Sequence, residues 1–378
     1  MVSANRVLIL GGCGRIGSAV AQDLLTYTDA AITVTGRSPQ PSSKPRVTGL
    51  TLSLDDQAGV DSAIAAHNLV IHCAGPFSYR DHHILDSCIA QQVNYLDVAD
   101  NPNYVKQALA RCDRAQAAGI TAVVSTGVFP GISNSMVRQG IEQFDQANSV
   151  QLNYVVAGSG GAGVTVMRTT FLELLHPIQA KIEGEMQAIA PYSQREVVTF
   201  PSPYGRCGVY WFNTIEAMTL ADSFPLQTII TKFGSVPDIY NHLTWLMAHG
   251  VPKKWLAKPE TIEFLAETSY WMTTLSDRFS GVGLAMQADI HGSRAGQSAR
   301  FISNMVYPDT AAAAGYGTGS LAQLLLSGQW QQPGVWPVER SLPTDLFEKA
   351  MAQRGLEIQQ SFIESYPFSV TLRRDKAE

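Results

Sequence analysis

The fold class that the sequence predicts is α/β, opening with a doubly wound parallel sheet. Three observations predict it. A strand-like apolar run, Val7-Leu8-Ile9-Leu10, leads straight into Gly12-x-Gly14-x-x-Gly17, and an amphipathic helix pattern follows from Ile16 to Leu25. Strand-like and helical segments then alternate for about the first 125 residues, as a parallel sheet with right-handed crossovers requires. Beyond about residue 150 the alternation stops. The 378 residues exceed one ordinary core and suit two domains.

The first strand is apolar throughout, as a strand covered on both faces must be. Ile32 to Thr35 reads as the second strand, ending in Gly36-Arg37-Ser38, and Leu50 to Leu54 as a short third. Val60 to Ala66 is a helix, and Leu69 to His72 a fourth strand that breaks at Ala74-Gly75-Pro76-Phe77. Ile84 to Gln91 is a helix and Tyr95 to Val98 a fifth strand. Tyr104 to Ala118 is a helix, and Thr121 to Val124 a sixth strand running into Gly127-Val128-Phe129-Pro130-Gly131. The second half begins with a strand, Val150 to Val156, a glycine loop, Gly158 to Gly163, and a helix, Val164 to Leu175. Short strands are expected over 178–210, helices over 237–278, strand-like alternation over 282–305 and an Ala/Leu helix over 311–326.

Composition narrows the function. Hydrophobic residues make up 45% and charged residues 16%, as in an ordinary globular protein. A net charge of −5 without a Lys/Arg cluster argues against nucleic-acid binding. No apolar run reaches the roughly 18 residues of a spanning helix. The first strand starts at once, so no secretory leader is expected. Five scattered cysteines, none in a C-x-x-C pair, suggest free thiols in a reducing, cytoplasmic setting, and no metal site.

The glycine loop carries the chemistry. A glycine pattern between a strand and a helix is a dinucleotide-binding fingerprint. Gly12 is expected to allow the tight turn, Gly14 to let backbone approach a pyrophosphate, and Gly17 to bring helix and strand together. The open amides at the helix start would face the phosphates. The candidate cofactor residues are therefore Gly11, Gly12, Cys13, Gly14, Arg15, Ile16 and Gly17, with Ala74, Gly75 and Pro76 after the fourth strand. The end of the second strand, where NAD-selective sites place an acid, carries Arg37 and Ser38 instead. A guanidinium and a hydroxyl suit a 2′-phosphate, so NADP(H) is expected in preference to NAD(H).

Several further elements resemble the saccharopine dehydrogenase-like oxidoreductases. Cys73-Ala74-Gly75-Pro76-Phe77-Ser78-Tyr79 is similar to the family's Gly-Pro-Tyr/Phe turn, and Asn94 to Asp100 to its following acid-terminated strand. Gly127-Val128-Phe129-Pro130-Gly131-Ile132-Ser133-Asn134 resembles its Gly-x-x-Pro-Gly element. Gly319 to Gly328, Gly334-Val335, Pro337-Val338-Glu339 and the stretch from Leu342 to Leu356 resemble its C-terminal part. The resemblance implies a Rossmann domain over 1–135, an inserted mixed α+β substrate and dimerisation domain over 136–305, and a segment over 306–378 that returns to the first domain. It also implies hydride transfer to a C=N, C=O or C=C bond. Phe129 stands where saccharopine reductases tend to carry an Asp, and the Pro337-Val338-Glu339 tail departs from a clean Pro-Glu pair. Both departures count against an amino-acid substrate.

Hydride transfer needs orientation and a proton, while the cofactor does the hard step. The candidate donors are Tyr79 and Asp97, with Asp100 and His82 behind them; Asp100 precedes Asn101-Pro102 and reads more simply as a helix cap. Arg168 and Arg206, with Tyr204, are the candidate substrate contacts, since guanidiniums would hold substrate carboxylates. Tyr204, Tyr210, Trp211, Phe212, Trp245 and Trp271 could instead line a pocket for a larger apolar compound, or form a core or a homodimer interface. The glycines of the 158–163 loop could offer amides to an anion or simply make a turn. The competing class is an NADP(H)-binding protein without turnover, a sensor or assembly factor.

Overall fold

The computed structural model describes residues 5–36, 44–160 and 163–364. The first unit runs β1 (Arg6–Leu10), α1 (Arg15–Tyr27), β2 (Ala31–Gly36), β3 (Val47–Thr51), α2 (Gln57–Ala65), β4 (Leu69–His72), α3 (His83–Gln91) and β5 (Asn94–Asp97). Then come α4 (Pro102–Leu109), α5 (Cys112–Ala117), β6 (Thr121–Val124) and α6 (Ser133–Ile141). The single helix expected over 104–118 is two, because the chain turns at Ala110-Arg111, where Arg111 forks onto Asp86 at 3.0 Å through both Nε and Nη2.

The second unit follows with β7 (Gln146–Ala157), α7 (Val164–Glu173), β8 (Ile178–Ile182), β9 (Glu185–Ile189), β10 (Glu196–Phe200), β11 (Gly205–Trp211), α8 (Ile215–Ser223) and β12 (Thr228–Val236). It continues through α9 (Ile239–Gly250), α10 (Lys253–Leu256), α11 (Pro259–Ser280), β13 (Leu284–Arg294) and β14 (Gln297–Tyr307). The chain ends with α12 (Thr310–Leu326), β15 (Gly334–Pro337), α13 (Val338–Ser341), α14 (Thr344–Gln353) and β16 (Ile358–Glu364).

The first sheet is parallel, in the order β15-β6-β5-β4-β1-β2-β3. Val7 to Leu10 have no exposed surface, so both faces of β1 are covered. The order reverses between β1 and β4, which opens a crevice beyond their carboxyl ends, where ligands of such sheets bind. The second sheet is mixed, in the order β10-β11-β12-β7-β13-β14-β16. Strand β12 runs parallel to the central β7 and is buried along most of its length. Sequence reading passed over β12 because a strand covered on both faces shows no alternation. One continuous core runs from the first sheet through α1, α12 and α6 to the second sheet.

Residues 306–364, part of the segment expected to return to the first domain, divide between the two sheets. α12 packs along α1 and β15 joins β6, but β16 pairs antiparallel with β14 and covers that edge of the second sheet. Among the described residues no helix is long and apolar enough to cross a membrane.

Candidate active site

The glycine loop folds as a tight turn between β1 and α1. Gly12 N donates to Ile9 O at 3.1 Å and Gly14 N to Gly11 O at 2.9 Å. The positive φ of the turn, +74°, belongs to Gly11. Gly12 is required for closeness: a Cβ there would lie 2.7 Å from Val34 Cβ. At Gly17 it would lie 2.4 Å from Gly11 O, so helix and turn touch backbone to backbone. Gly14 caps α1 with no side chain, and the helical ladder begins only with Ser18 N to Gly14 O at 2.8 Å. The amides of Arg15, Ile16 and Gly17 therefore stand open at a helix start, the arrangement that receives a phosphate. The residues present fit a dinucleotide's pyrophosphate.

The neighbouring turns complete the cleft. Ala74 lies against Gly11, so close that a Cβ on Gly11 would sit 2.9 Å from Ala74 Cα. Arg80 Nε donates to Ala74 O at 2.9 Å and holds the Ala74-Gly75-Pro76 turn in place. Cys13 is exposed beside Gly36, the last residue of β2. Arg37 and Ser38 lie outside the described residues. Arg15 is engaged by α11, donating through Nη2 to Tyr270 Oη at 2.8 Å.

Behind the cleft lies a cavity of about 380 Å³. It begins at Ile16 and the Gly127–Pro130 turn beyond β6 and extends under α7, α9 and α11. Phe129, stacked on Tyr154 at 4.5 Å between ring centres, forms part of its floor. Phe212, Phe233, Met247 and Met272 continue an apolar wall. Its ionisable groups are the carboxyls of Asp100, Glu173 and Glu216 and the phenols of Tyr154 and Tyr240; no Lys, Arg or His among the described residues lines it.

The three carboxyls share one electrostatic signature. Burial holds each above the ordinary carboxyl range. Asp100 faces the Thr169 hydroxyl, and Glu173 lies one helical turn further along α7, where the Asp100 charge raises it further. Asn213 Nδ2 donates to Glu173 Oε2 at 2.6 Å. Glu216 is fully buried; its Oε1 accepts from Ser133 Oγ at 2.8 Å, while Oε2 has no hydrogen-bond partner.

The site residues read from the sequence divide sharply. Asp97 is no longer a donor candidate. It has no exposed surface, Oδ1 accepts from Ala99 N at 3.0 Å and Ser125 N at 2.7 Å, and Oδ2 accepts from Tyr95 Oη at 3.0 Å. Burial raises its carboxyl to about 6, and its work is to tie the ends of β5 and β6 together. Asp100 is not the helix cap: Asn101 is, accepting from Tyr104 N at 3.0 Å, which leaves Asp100 to the cavity. Tyr79 is 66% exposed on the outer side of its turn, near Arg168 and off the cavity wall. His82 is buried, stacked on Tyr104 and bonded to its carbonyl.

The substrate contacts expected of Arg168, Arg206 and Tyr204 are not formed at the cavity. Arg168 forks onto Glu263 of α11 through Nε and Nη2. Arg206 is exposed on the outer β10–β11 hairpin, opposite Thr199. Tyr204 packs in a separate core cluster with Val198 and Phe200. The second glycine loop serves the protein itself: Ser159 N and Oγ both donate to Asp277 of α11 at 2.7 Å. Helix α11 thus contacts both glycine loops, through Tyr270 and Asp277.

Sequence reading missed Glu216 and the role of Glu173. A glutamate in the first turn of a helix, as Glu216 is, is an ordinary helix-start signal, and only the fold turns these two toward a shared cavity. Two separate motifs do meet. Asn134, at the end of the Pro-Gly element, donates through Nδ2 to Glu339 Oε2 of the Pro337-Val338-Glu339 tail at 2.9 Å.

A parallel sheet with this strand order, its glycine loop at the switch point and open amides at the start of α1 define a Rossmann dinucleotide-binding protein. Residues 7–123 match the family model described as the saccharopine dehydrogenase NADP binding domain. That match spans the first sheet from β1 to β6, so the N-terminal unit is similar to an NADP-binding domain of that family. The chain is 24% identical over 331 residues to carboxyaminopropylagmatine dehydrogenase of Synechocystis sp., covering 80% of this chain and 81% of that one. It is 28% identical over 150 residues to saccharopine dehydrogenase (NADP(+), L-glutamate-forming) of Pyricularia oryzae, 38% of this chain and 32% of that one. The fold matches apo saccharopine dehydrogenase (L-Glu forming) from Saccharomyces cerevisiae with a TM-score of 0.70 at 16% identity, over 95% of this chain and 100% of that one.

Proposed function

We propose that the protein is an NADP(H)-dependent oxidoreductase that transfers a hydride to or from a C=N, C=O or C=C bond of a small molecule with a largely apolar body. The observation that carries this reading is the cavity beside the Gly127–Pro130 turn, walled by aromatic and methionine side chains and bare of cations among the described residues. A substrate with several carboxylates would be desolvated there without a guanidinium to receive it, which is costly. Arg168 is already engaged by Glu263.

The bound nicotinamide would supply the hydride. The chain's own task is to place the reacting bond, exclude water and move one proton. Open amides at the start of α1 would hold the pyrophosphate, and Arg37 with Ser38 would read the 2′-phosphate. Glu216 is the carboxyl we assign to the proton: its Oε2 is unpartnered, the residue lies on the cavity wall, and burial favours its protonated form. Two copies of the chain are proposed to pair through α11, whose outer stripe exposes Phe264, Trp271 and Leu275. Glu267 and Arg278 flank Trp271 on that stripe, so each would meet the other in an antiparallel two-fold pairing.

NADPH consumption with carbonyl, imine and enone compounds of matched apolar size tests the reading. Turnover of at least one is expected. Tight NADPH binding with no turnover on any of them would favour the binding protein without catalysis. In parallel, Arg37→Asp should shift the NADPH:NADH preference toward NADH by about tenfold or more, and an unchanged ratio would remove Arg37 from the 2′-phosphate site.

A further inference from the structure

The cavity has a polarity that an apolar pocket does not need. Every acidic or basic side chain on its wall, among the described residues, is a carboxyl or a phenol. Asp100 comes from the loop after β5 and Glu173 from the last turn of α7, so two separate elements bring their carboxyls to one wall. They are close enough for Asp100 to raise Glu173. Asn213 and Thr169 supply one neutral partner each, to Glu173 and Asp100 respectively. A third acid, Glu216, has no exposed surface and lines the same space, its Oε2 without a hydrogen-bond partner. Two neighbouring acids on an apolar wall, with no cation among its described lining residues, must either hold protons or repel each other, and a positive charge entering that space relieves both costs.

We propose that the cavity binds a ligand carrying a protonated nitrogen, an amine or an amidine, held between Asp100 and Glu173 with its apolar body against the aromatic and methionine wall. This rests on the cavity being the substrate site of the oxidoreductase proposed above. It names the chemistry of that substrate: cationic at one end, apolar along its length and without need of a carboxylate. A nitrogen placed between the two carboxyls meets both their charges at once and relieves their mutual repulsion. Its N–H groups find carboxylate acceptors, and these charge-assisted bonds are the stronger kind. Aromatic faces along the wall add attraction for a cation that slides past them. A carboxylate in the same place would face two like charges, so the site discriminates by repulsion as well as by attraction.

Three probes of similar size test this on the full chain at neutral pH: 4-phenylbutylamine, 4-phenylbutanol and 4-phenylbutyrate, titrated by calorimetry with and without NADP+. The amine should bind at least about tenfold tighter than the alcohol, and the acid more weakly than both. Glu173→Gln should abolish the amine's advantage over the alcohol and leave alcohol binding within about twofold. Asp100→Asn should do the same, and the alcohol serves in each variant as the check that the cavity still forms. Acid binding equal to or tighter than amine binding in the wild type would overturn the proposal without any variant. So would an amine advantage that survives Glu173→Gln. A wild type that prefers the amine yet binds no NADP+ would sink the oxidoreductase reading and leave the cation preference standing.

Discussion

Arg354→Met should destabilise the protein as much as a severe core truncation, although the residue lies far from the cavity. Arg354 of the α14 C-cap forks onto Asp23 of α1, with Nε to Oδ1 at 2.8 Å and Nη2 to Oδ2 at 2.7 Å. Neither side chain has any exposed surface. The guanidinium also donates to Ala350 O and Gln323 Oε1 and lies 4.3 Å from the centre of the Tyr27 ring. Removing it breaks two charge-assisted bonds of about 1.5–3 kcal/mol each and leaves a carboxylate buried without its counterion. The two bonds sum to about 3–6 kcal/mol, and breaking a buried ion pair by removing one partner costs about 3–5 kcal/mol, so a loss in that range is expected at neutral pH. Burial outweighs the guanidinium and already holds the Asp23 carboxyl above its ordinary value, and in the variant it should rise further. A folded value above the unfolded one means stability that is fully present below the unfolded value and lost as pH rises through the folded one. The variant's deficit should therefore be largest at neutral pH and shrink as the solution is acidified toward the ordinary carboxyl range. Urea denaturation followed by tryptophan fluorescence, at neutral and at acid pH, measures it. The double variant Asp23→Leu with Arg354→Met should regain most of the loss, because it removes the orphaned charge as well. A single-variant cost under about 1 kcal/mol, or a double variant no more stable than the single, would refute the argument.

The remaining predictions concern the site and the assembly. Asp97→Asn should retain cofactor binding and turnover, because the amide oxygen can still accept from Ala99 N and Ser125 N. It should also flatten the stability profile: with the carboxyl raised to about 6, stability falls as pH rises through that value, by roughly 3 kcal/mol in all if the unfolded carboxyl is ordinary. Turnover lost from a fully stable Asp97→Asn would restore Asp97 as a catalytic acid. Trp271→Glu should halve the mass measured by light scattering while leaving NADPH binding intact; an unchanged mass would remove α11 as the pairing surface.

How much of the site could be read in advance follows from the range of the interactions involved. The glycine loop was legible because its requirements are local. Strand, turn and helix start lie close together in the chain, and each glycine answers a contact with the neighbouring backbone or with Val34. The positive φ falls on Gly11, and the pattern marks where small residues are needed and not which dihedral each adopts. Asp97, Asp100 and Asn101 look alike in sequence as polar residues at a strand end. The fold gave the first to the strand ends, the second to the cavity and the third to the helix cap, a division set by which backbone amides lay within reach. Arg168 and Arg206 stand out in the sequence by charge alone; tertiary structure joins the first to Glu263 and places the second on an outer hairpin.

Chain order and hydrophobic pattern alone sufficed for the parallel sheet, for its crossovers and for a phosphate-binding helix start. These depend on backbone geometry and on burial of segments next to one another in sequence. Tertiary structure alone decided the character of the cavity. Asp100, Glu173 and Glu216 come from three elements that meet only once β12 has inserted beside β7 and α11 has closed over both glycine loops. No local signal marks such a meeting, because a carboxyl's surroundings, and with them its charge and its use, are set by whatever the rest of the chain packs against it.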